Sequence, residues 1–317
     1  MITRHPSPLR YPGGKTSLTA FLTEVIDLNN LDGAVYVEPF AGGAGAALKL
    51  LFDEQVSKIY INDLDKHIYC FWKAILNHTS EFTSLIRETR VSVAQWRKQQ
   101  KVFVNFTKHS TLEIGFATFY LNRCNHSGVL NGGPIGGIDQ TGEYKINARY
   151  NKAELQSRIE KISLYRDRII VKNLDGVAFL DWVFKERKVD PDKSLVYMDP
   201  PYFEKAASLY DVYFHDSDHQ KLAKYLAQTH KFRWIVSYDD SALVRKLYKD
   251  RLNILLMRYS VKTVRIGREL VISSSNCLLP THLLGTQLNG FASPNRSRIN
   301  ARNCLLKEET SGTGIRA

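Results

Sequence analysis

Residues 34–63 constrain the fold more than any other stretch. An apolar run at 34–37 leads into Glu38-Pro39-Phe40-Ala41-Gly42-Gly43-Ala44-Gly45, then a helical pattern at 46–52, then a second apolar run at 58–61 that ends on Asn62-Asp63. Strand, glycine-rich turn, helix and strand in so short a span point to a βαβ unit, hence a parallel sheet with helices on its faces. Glycines between the first strand and its helix let the backbone turn tightly and let a ligand come close. Asp63 lies 18 residues past Gly45, and an acid there accepts hydrogen bonds from both hydroxyls of a ribose. The unit therefore predicts a nucleoside-bearing cofactor; the plain alternative is a tight turn and a helix-capping Asp.

The same alternation returns late in the chain. Residues 168–172, 194–198, 234–237, 253–259 and 269–274 read as strands, with helices at about 218–229 and 241–247. Before the glycine-rich unit, Leu18, Phe21, Leu22, Val25 and Ile26 recur at helical spacing. The middle differs. From about 80 to 123 the pattern is helical, and 126–137 is too glycine-rich for a helix and reads as a loop or hairpin. From about Gly285 the chain turns polar and loses its period, which predicts a mobile tail.

Charge narrows the partner. The 317 residues carry a formal net charge of +12, and a net +6 falls within 80–170. A balance this basic points to a polyanion, and the middle segment is where it would be touched. No stretch approaches the roughly 20 apolar residues of a spanning helix, and the N-terminal residues show no secretion signal. Cys70, Cys124, Cys277 and Cys304 lie far apart without metal or redox spacing, so no metal is called for and a reduced, cytoplasmic setting is expected.

Two further motifs carry chemistry. Asp199-Pro200-Pro201-Tyr202 follows directly on an apolar strand, where ligands of open α/β sheets bind. The prolines stiffen the turn, so that a carboxylate and a backbone carbonyl project together as paired acceptors. A planar amine with two N–H donors, such as an adenine amino group, would satisfy both, and Tyr202 offers a face for a base to stack on. Arg10-Tyr11-Pro12-Gly13-Gly14-Lys15, before the first helix, offers free N–H groups and a Lys to an anion but lacks P-loop spacing. His215 and His219 are four residues apart, yet a helix N-cap among Asp216, Ser217 and Asp218 is the better account of that cluster.

The order of these motifs, with Leu121-Asn122-Arg123 ahead of the glycine-rich loop, closely resembles the Dam-type DNA adenine N6-methyltransferases over residues 7–280. The resemblance implies a Rossmann-like, S-adenosylmethionine-dependent methyltransferase sheet of class α/β with an inserted, mostly helical DNA-recognition domain. The division would be 1–79 with 165–284 as catalytic domain, 80–164 as insertion with a hairpin, and 285–317 as tail. It implies a site-specific enzyme that methylates adenine N6 in double-stranded DNA, with a cognate restriction enzyme as a further partner to look for. By resemblance, S-adenosylmethionine would contact Tyr11, Lys15, Glu38, Phe40, Gly42, Gly43, Gly45, Asp63 and Asp199. Asp199, Pro200, Pro201 and Tyr202 would hold the flipped adenine, and Arg10 and Asn122 would lie on the DNA; Arg123, Lys145 and Arg149 are candidates for phosphate contacts, with a solvated charged face as the plain alternative. Two departures limit the transfer: the glycine turn reads G-G-A-G where many relatives have G-x-G, and the 125–147 loop does not match GATC readers. The residues themselves leave three alternatives open. These are a cytosine-N4 methyltransferase, whose target amine also has two donors; a nicotinamide-dependent oxidoreductase, which leaves residues 199–202 and the charge unexplained; and a DNA-binding protein without catalysis.

Overall fold

The computed structural model of the protein describes residues 6–10, 18–201, 214–228, 231–249, 252–260 and 264–287. Tyr11, Lys15 and Tyr202 lie outside the described residues, as does the polar segment beyond 287.

The first section runs α1 (Thr19–Leu28), β1 (Ala34–Glu38), α2 (Gly45–Phe52) and β2 (Val56–Asn62), close to the expected unit. Then follow α3 (Lys66–Asn77), α4 (Thr79–Glu88), α5 (Val93–Val104), α6 (Thr111–Cys124) and α7 (Lys152–Leu164). The last section holds β3 (Ile169–Lys172), α8 (Gly176–Asp181), β4 (Ser194–Met198), α9 (Asp216–Gln228), β5 (Arg233–Asp239), α10 (Ala242–Leu247), β6 (Leu252–Ser260), β7 (Val264–Ser273) and β8 (Leu284–Gln287). Two boundaries differ from the sequence reading. Leu284–Gln287 pairs with β6 as an edge strand, so the chain is still part of the sheet at the point where a tail was expected. Residues 125–134 are closed by one antiparallel bridge, Asn125 to Pro134, rather than by a strand ladder, so turns and side-chain bonds shape this loop.

The strands form one sheet in the order β3-β2-β1-β4-β5-β7-β6-β8. β3, β2, β1, β4 and β5 are parallel, and β7, β6 and β8 extend the sheet antiparallel. Successive strands move away from β1 in one direction as far as β3, then in the other from β4 onward. The order therefore reverses between β1 and β4, where open α/β sheets have a crevice at their carboxyl ends.

Both faces are covered, so β1 is buried except at half-buried Val35 and β4 is buried throughout, rather than alternating. Tyr36, Ile59, Leu195, Tyr197, Ile235 and Val271 point to one core; Val37, Tyr60, Val196, Met198, Trp234 and Tyr238 point to the other. The helices of the middle segment join the first core without a break, through Phe82, Ile86, Trp96, Phe116, Phe119 and Ile159. A Phe71–Phe119 stack, at 6.2 Å between centroids, links α3 to α6. Among the described residues no helix is long and apolar enough to cross a membrane.

Candidate functional site

The rim of the crevice is tied together by Asn62, the last residue of β2. Its side-chain amide donates to the carbonyls of Pro39 and Leu174, both at 2.9 Å, and its Oδ1 accepts from Leu174 N–H at 2.9 Å. Its backbone carbonyl accepts from Ala41 N–H at 2.9 Å. One side chain thus fixes the turns after β1 and β3 against the end of β2. Within the first turn the left-handed residues are Gly42 (φ 46°) and Ala44 (φ 45°), whereas Gly45 opens α2. The turn is thus left-handed at 42, where glycine adopts it without strain, and again at 44, where an alanine takes the same conformation. Phe40 is half-buried beside it and packs edge-on to Phe214 at 5.5 Å.

Three carboxylates converge on this rim from three strand ends. Glu38 ends β1, Asp63 follows β2 and Asp199 follows β4. Asp63 accepts from Gly42 N–H at 2.8 Å through Oδ2 and from Asp65 N–H at 2.9 Å through Oδ1. Burial, then the charge of Asp65, pushes its carboxyl up to about 7. Glu38 is buried, and its Oε2 has no hydrogen-bond partner. Burial, then Asp199, holds its carboxyl well above the ordinary carboxylate range, with Asp63 adding to the effect. Acids this close raise one another because each charge disfavours the next. Such a rim suits a ligand that brings a cation and hydroxyl donors. Pro200 is buried and Pro201 half-buried behind Asp199.

Sequence reading missed the layer under Asp199. Tyr197 Oη lies 2.6 Å from Ser237 Oγ, and Ser237 donates to Asp199 Oδ1 at 3.1 Å. Tyr197 and Ser237 are both fully buried. They share a face of the sheet with Tyr36 and Glu38 on β1 and Glu269 on β7, so polar groups line four adjacent strands. Burial, then Asp199 and Glu269, lifts the Tyr197 phenol well above its usual value, so it remains a donor. The available signal was spacing: Tyr197 is two residues before Asp199 and so on the same face.

The middle segment holds its expected contacts differently. Asn122 is buried, with its amide fully engaged. Its Oδ1 accepts from Arg10 N–H at 2.7 Å, and its Nδ2 donates to the carbonyls of Arg10 (2.7 Å) and Gly128 (2.9 Å). Expected on DNA, it instead clamps the Arg10 backbone against the loop. Gly128, at φ 80°, permits this approach, because a Cβ there would stand 2.4 Å from the Arg10 carbonyl oxygen. Lys145 also turns inward: its ammonium bonds the carbonyls of Gln140 (2.8 Å) and Gly142 (3.0 Å).

The arginines remain in excess. Arg10 donates to Asn125 O at 2.9 Å, and Arg123 Nε to Arg149 O at 2.8 Å. These partners are carbonyls, which position a guanidinium without cancelling its charge. Burial, then Arg10 and Arg158, draws Arg123 down to about 10; burial, then Arg149, lowers Arg10. Arg149 itself is exposed.

The histidine pair splits. His219 is buried, its Nδ1 3.0 Å from Tyr238 Oη, and burial lowers it to about 4, so it is neutral near pH 7. Asp218 accepts from His215 N–H at 2.8 Å, so it reaches back from the first turn of α9 instead of standing as its N-cap. Among the described residues no group of three or more His, Cys, Asp or Glu could hold a metal ion.

A family model described as D12 class N6 adenine-specific DNA methyltransferase matches residues 11–265. The Type II methyltransferase M.MjaIII of Methanocaldococcus jannaschii is 25% identical over 240 residues, covering 70% of this chain and 80% of that protein. Among solved structures, the rRNA methyltransferase AviRa of Streptomyces viridochromogenes is similar at 12% identity and a TM-score of 0.34, over 84% of this chain and 87% of its own. An uncharacterized protein of Listeria monocytogenes serotype 4b aligns at 9% identity and a TM-score of 0.33, over 91% of this chain and 77% of its own.

Proposed function

Because the chain belongs to the D12 class of N6 adenine-specific DNA methyltransferases, enzymes that methylate adenine in DNA, we propose that the rim at the β1/β4 reversal holds both reactants. The observation that carries this is the convergence of Glu38, Asp63 and Asp199 at three neighbouring strand ends, with Glu38 Oε2 buried and lacking a hydrogen-bond partner. The acids fit S-adenosylmethionine, which the family implies. Asp63 suits its ribose hydroxyls, and Glu38 and Asp199 suit its positive charge. The turn from Phe40 to Gly45 lies alongside. When bound, that cofactor supplies an electrophilic methyl on a cationic sulfur.

The chain's own part is alignment and polarisation. Asp199 and the Pro200 carbonyl accept the two N–H groups of the target adenine, while Pro201 keeps the corner stiff. Holding both protons pushes the amino nitrogen away from conjugation with the ring and toward a nucleophilic, tetrahedral shape. Alignment of this kind can remove about 7–11 kcal/mol of barrier. The base must first leave the stack, at a cost of a few kcal/mol. Tyr202 stacking and the basic segment offset that cost. Tyr11 and Lys15 are assigned to the cofactor and Tyr202 to the base by family resemblance.

DNA lies along Arg10, Arg123 and Arg149, where guanidinium charge is in excess. Residues 80–164 act as the recognition unit on double-stranded DNA, although their core is continuous with that of the sheet. The relative described as a Type II methyltransferase supports a place in restriction and modification, with a cognate restriction enzyme as partner. The test is Asp199→Ala with a labelled methyl donor and duplexes offering only adenine or only cytosine targets. Transfer to adenine by the wild type should fall by roughly 100- to 1,000-fold or more in the variant, with DNA affinity largely kept. Near-normal turnover by the variant, or wild-type transfer to cytosine, would defeat the assignment.

A further inference from the structure

The protonation state of His67 can be read from the partners of its ring. His67 lies in the first turn of α3 and is buried, with Nδ1 3.0 Å from Asp65 Oδ1 and Nε2 3.1 Å from the carbonyl oxygen of Phe103. A carbonyl oxygen only accepts, so Nε2 carries a proton. Asp65 Oδ1 caps α3 by accepting the His67 backbone N–H at 2.8 Å. Nδ1 faces that same accepting carboxylate oxygen and so donates to it as well. A neutral imidazole has one N–H and could supply only one of these two bonds; the ring needs both protons. Its surroundings suit a cation, because Phe103 stacks on it at 3.8 Å between centroids and 19° between planes.

Asp65 stands between this ring and the acid assigned to the cofactor ribose, since its backbone N–H donates to Asp63 Oδ1 at 2.9 Å. From this geometry we infer that His67 is an imidazolium and a positioning residue for the cofactor: it pins Asp65, and through the Asp65 N–H the Asp63 carboxylate, against the end of α5. The inference rests on the reading of Asp63 as the ribose-binding acid and adds to it. Two effects follow. Bonds from one ring to the cap of α3 and to Phe103 fix the turn between β2 and α3, so Asp63 is held in one orientation. The positive ring beside Asp65 also offsets that residue's charge at Asp63, so Asp63 ionises more readily than beside a bare carboxylate. Asp65 faces the ring from the cap of α3, with Asp63 one hydrogen bond further on. Lys66, next in sequence, lies over the Tyr69 ring at 4.6 Å. The end of α5 and the turn after it bring the Phe103 carbonyl and the rings of Phe103 and Phe106. When the second proton leaves, the ring can keep only one of its two bonds, so the device weakens as pH rises.

The test uses the full chain with its histidines labelled with nitrogen-15. Of the nine histidines, the His67 signals are those missing in His67→Gln. They should show both ring nitrogens protonated at about pH 7, where an ordinary His is mostly neutral. Asp65→Asn keeps an acceptor at the cap and removes its charge, so the second proton should leave at a pH lower by about one unit or more. That shift identifies the signal even where His67→Gln does not fold. Affinity for S-adenosylmethionine, read by calorimetry, should be about 3- to 10-fold weaker in His67→Gln near pH 6.5. The gap should narrow with rising pH, over the same range in which the wild-type ring titrates in the spectra. A purely structural role would weaken binding alike at every pH. A singly protonated ring at about pH 6.5, or an affinity ratio flat with pH, would overturn the inference. If Asp63→Asn binds the cofactor as tightly as wild type, the reading of Asp63 fails first and takes the positioning role with it, while the spectra still decide the charge on the ring.

Discussion

The strand-end rim and the loop-bearing middle segment are opposite in charge and alike in being unbalanced. At the rim, burial raises the carboxyls of Glu38 and Asp63, with Asp199 and Asp63 adding to the first and Asp65 to the second. In the middle segment, burial lowers Arg10 and Arg123, with Arg149 adding to the first and Arg10 and Arg158 to the second, and the side-chain bonds of both go to backbone carbonyls. A protein that only had to fold would pair such groups. On the proposed function, each imbalance would be completed by a ligand of opposite sign: a sulfonium and hydroxyl donors at the rim, phosphates along the arginines. The supports differ too. The rim is fixed by strand register and by Asn62; the arginines are fixed by a loop that Asn122, Asn125 and Lys145 hold in shape.

The largest effect should come from removing charge at the rim. Asp63→Asn keeps the shape and loses the charge, so affinity for S-adenosylmethionine should fall roughly 10- to 100-fold, read by calorimetry. On the proposed function the cofactor binds with Asp63 ionised, and burial and Asp65 push that carboxyl up to about 7. Affinity should therefore rise as pH climbs through about 7, and Asp63→Asn should flatten the curve. Stability of the ligand-free protein should run the other way. Above the ordinary carboxylate pKa the unfolded chain has already lost the Asp63 proton while the folded chain keeps it, so stability falls with rising pH until the folded value is passed. Melting temperatures that climb with pH across that window would break the comparison on its acidic side.

The sequence made the strand ends legible because each is marked by residues with few other uses. Gly42, Asn62-Asp63 and Asp199-Pro200-Pro201 interrupt apolar runs, and the α/β pattern and two of the three rim acids follow from that. Tyr197 and Ser237 were illegible because a Tyr or Ser within an apolar strand reads as packing. Their meaning lies in β4 pairing with β5, across a gap of 38 to 40 residues in sequence. Asn122 was misread for the same reason. Family resemblance placed it on the DNA, and its bonds to Arg10, 112 residues away, and to Gly128 make it interior. The antiparallel extension escaped because strand order is set by pairing, which a single sequence does not display.

A middle-sized effect is expected where the loop is clamped. Asn122→Ala leaves the Arg10 N–H and the carbonyls of Arg10 and Gly128 without their partner, which should cost about 2–4 kcal/mol in chemical denaturation. Because the clamp positions Arg10, DNA affinity should fall with it, while cofactor affinity stays near wild type. Gly128→Ala should mimic this, since its Cβ would collide with the Arg10 backbone. Equal losses of DNA and cofactor binding would mean that the rim and the loop are one mechanical unit and not two.

The smallest effect separates two neighbouring cations that looked equivalent in sequence. Arg149 is exposed, lies 6.0 Å from the Tyr144 ring and lowers Arg10 through its charge, so its guanidinium remains available to a phosphate. The Lys145 ammonium is already engaged by two carbonyls of its own loop. Arg149→Ala should weaken DNA binding a few-fold and reduce the slope of log affinity against log salt by about 0.9, as expected when one fewer phosphate is neutralised. Lys145→Ala removes a brace and leaves the neutralised phosphates as they were, so affinity should drop slightly with the salt slope unchanged. If the Lys145 variant showed the same reduced slope, the ammonium would have to leave its carbonyls on binding, and the loop would be rearranged by DNA instead of presented to it ready-made.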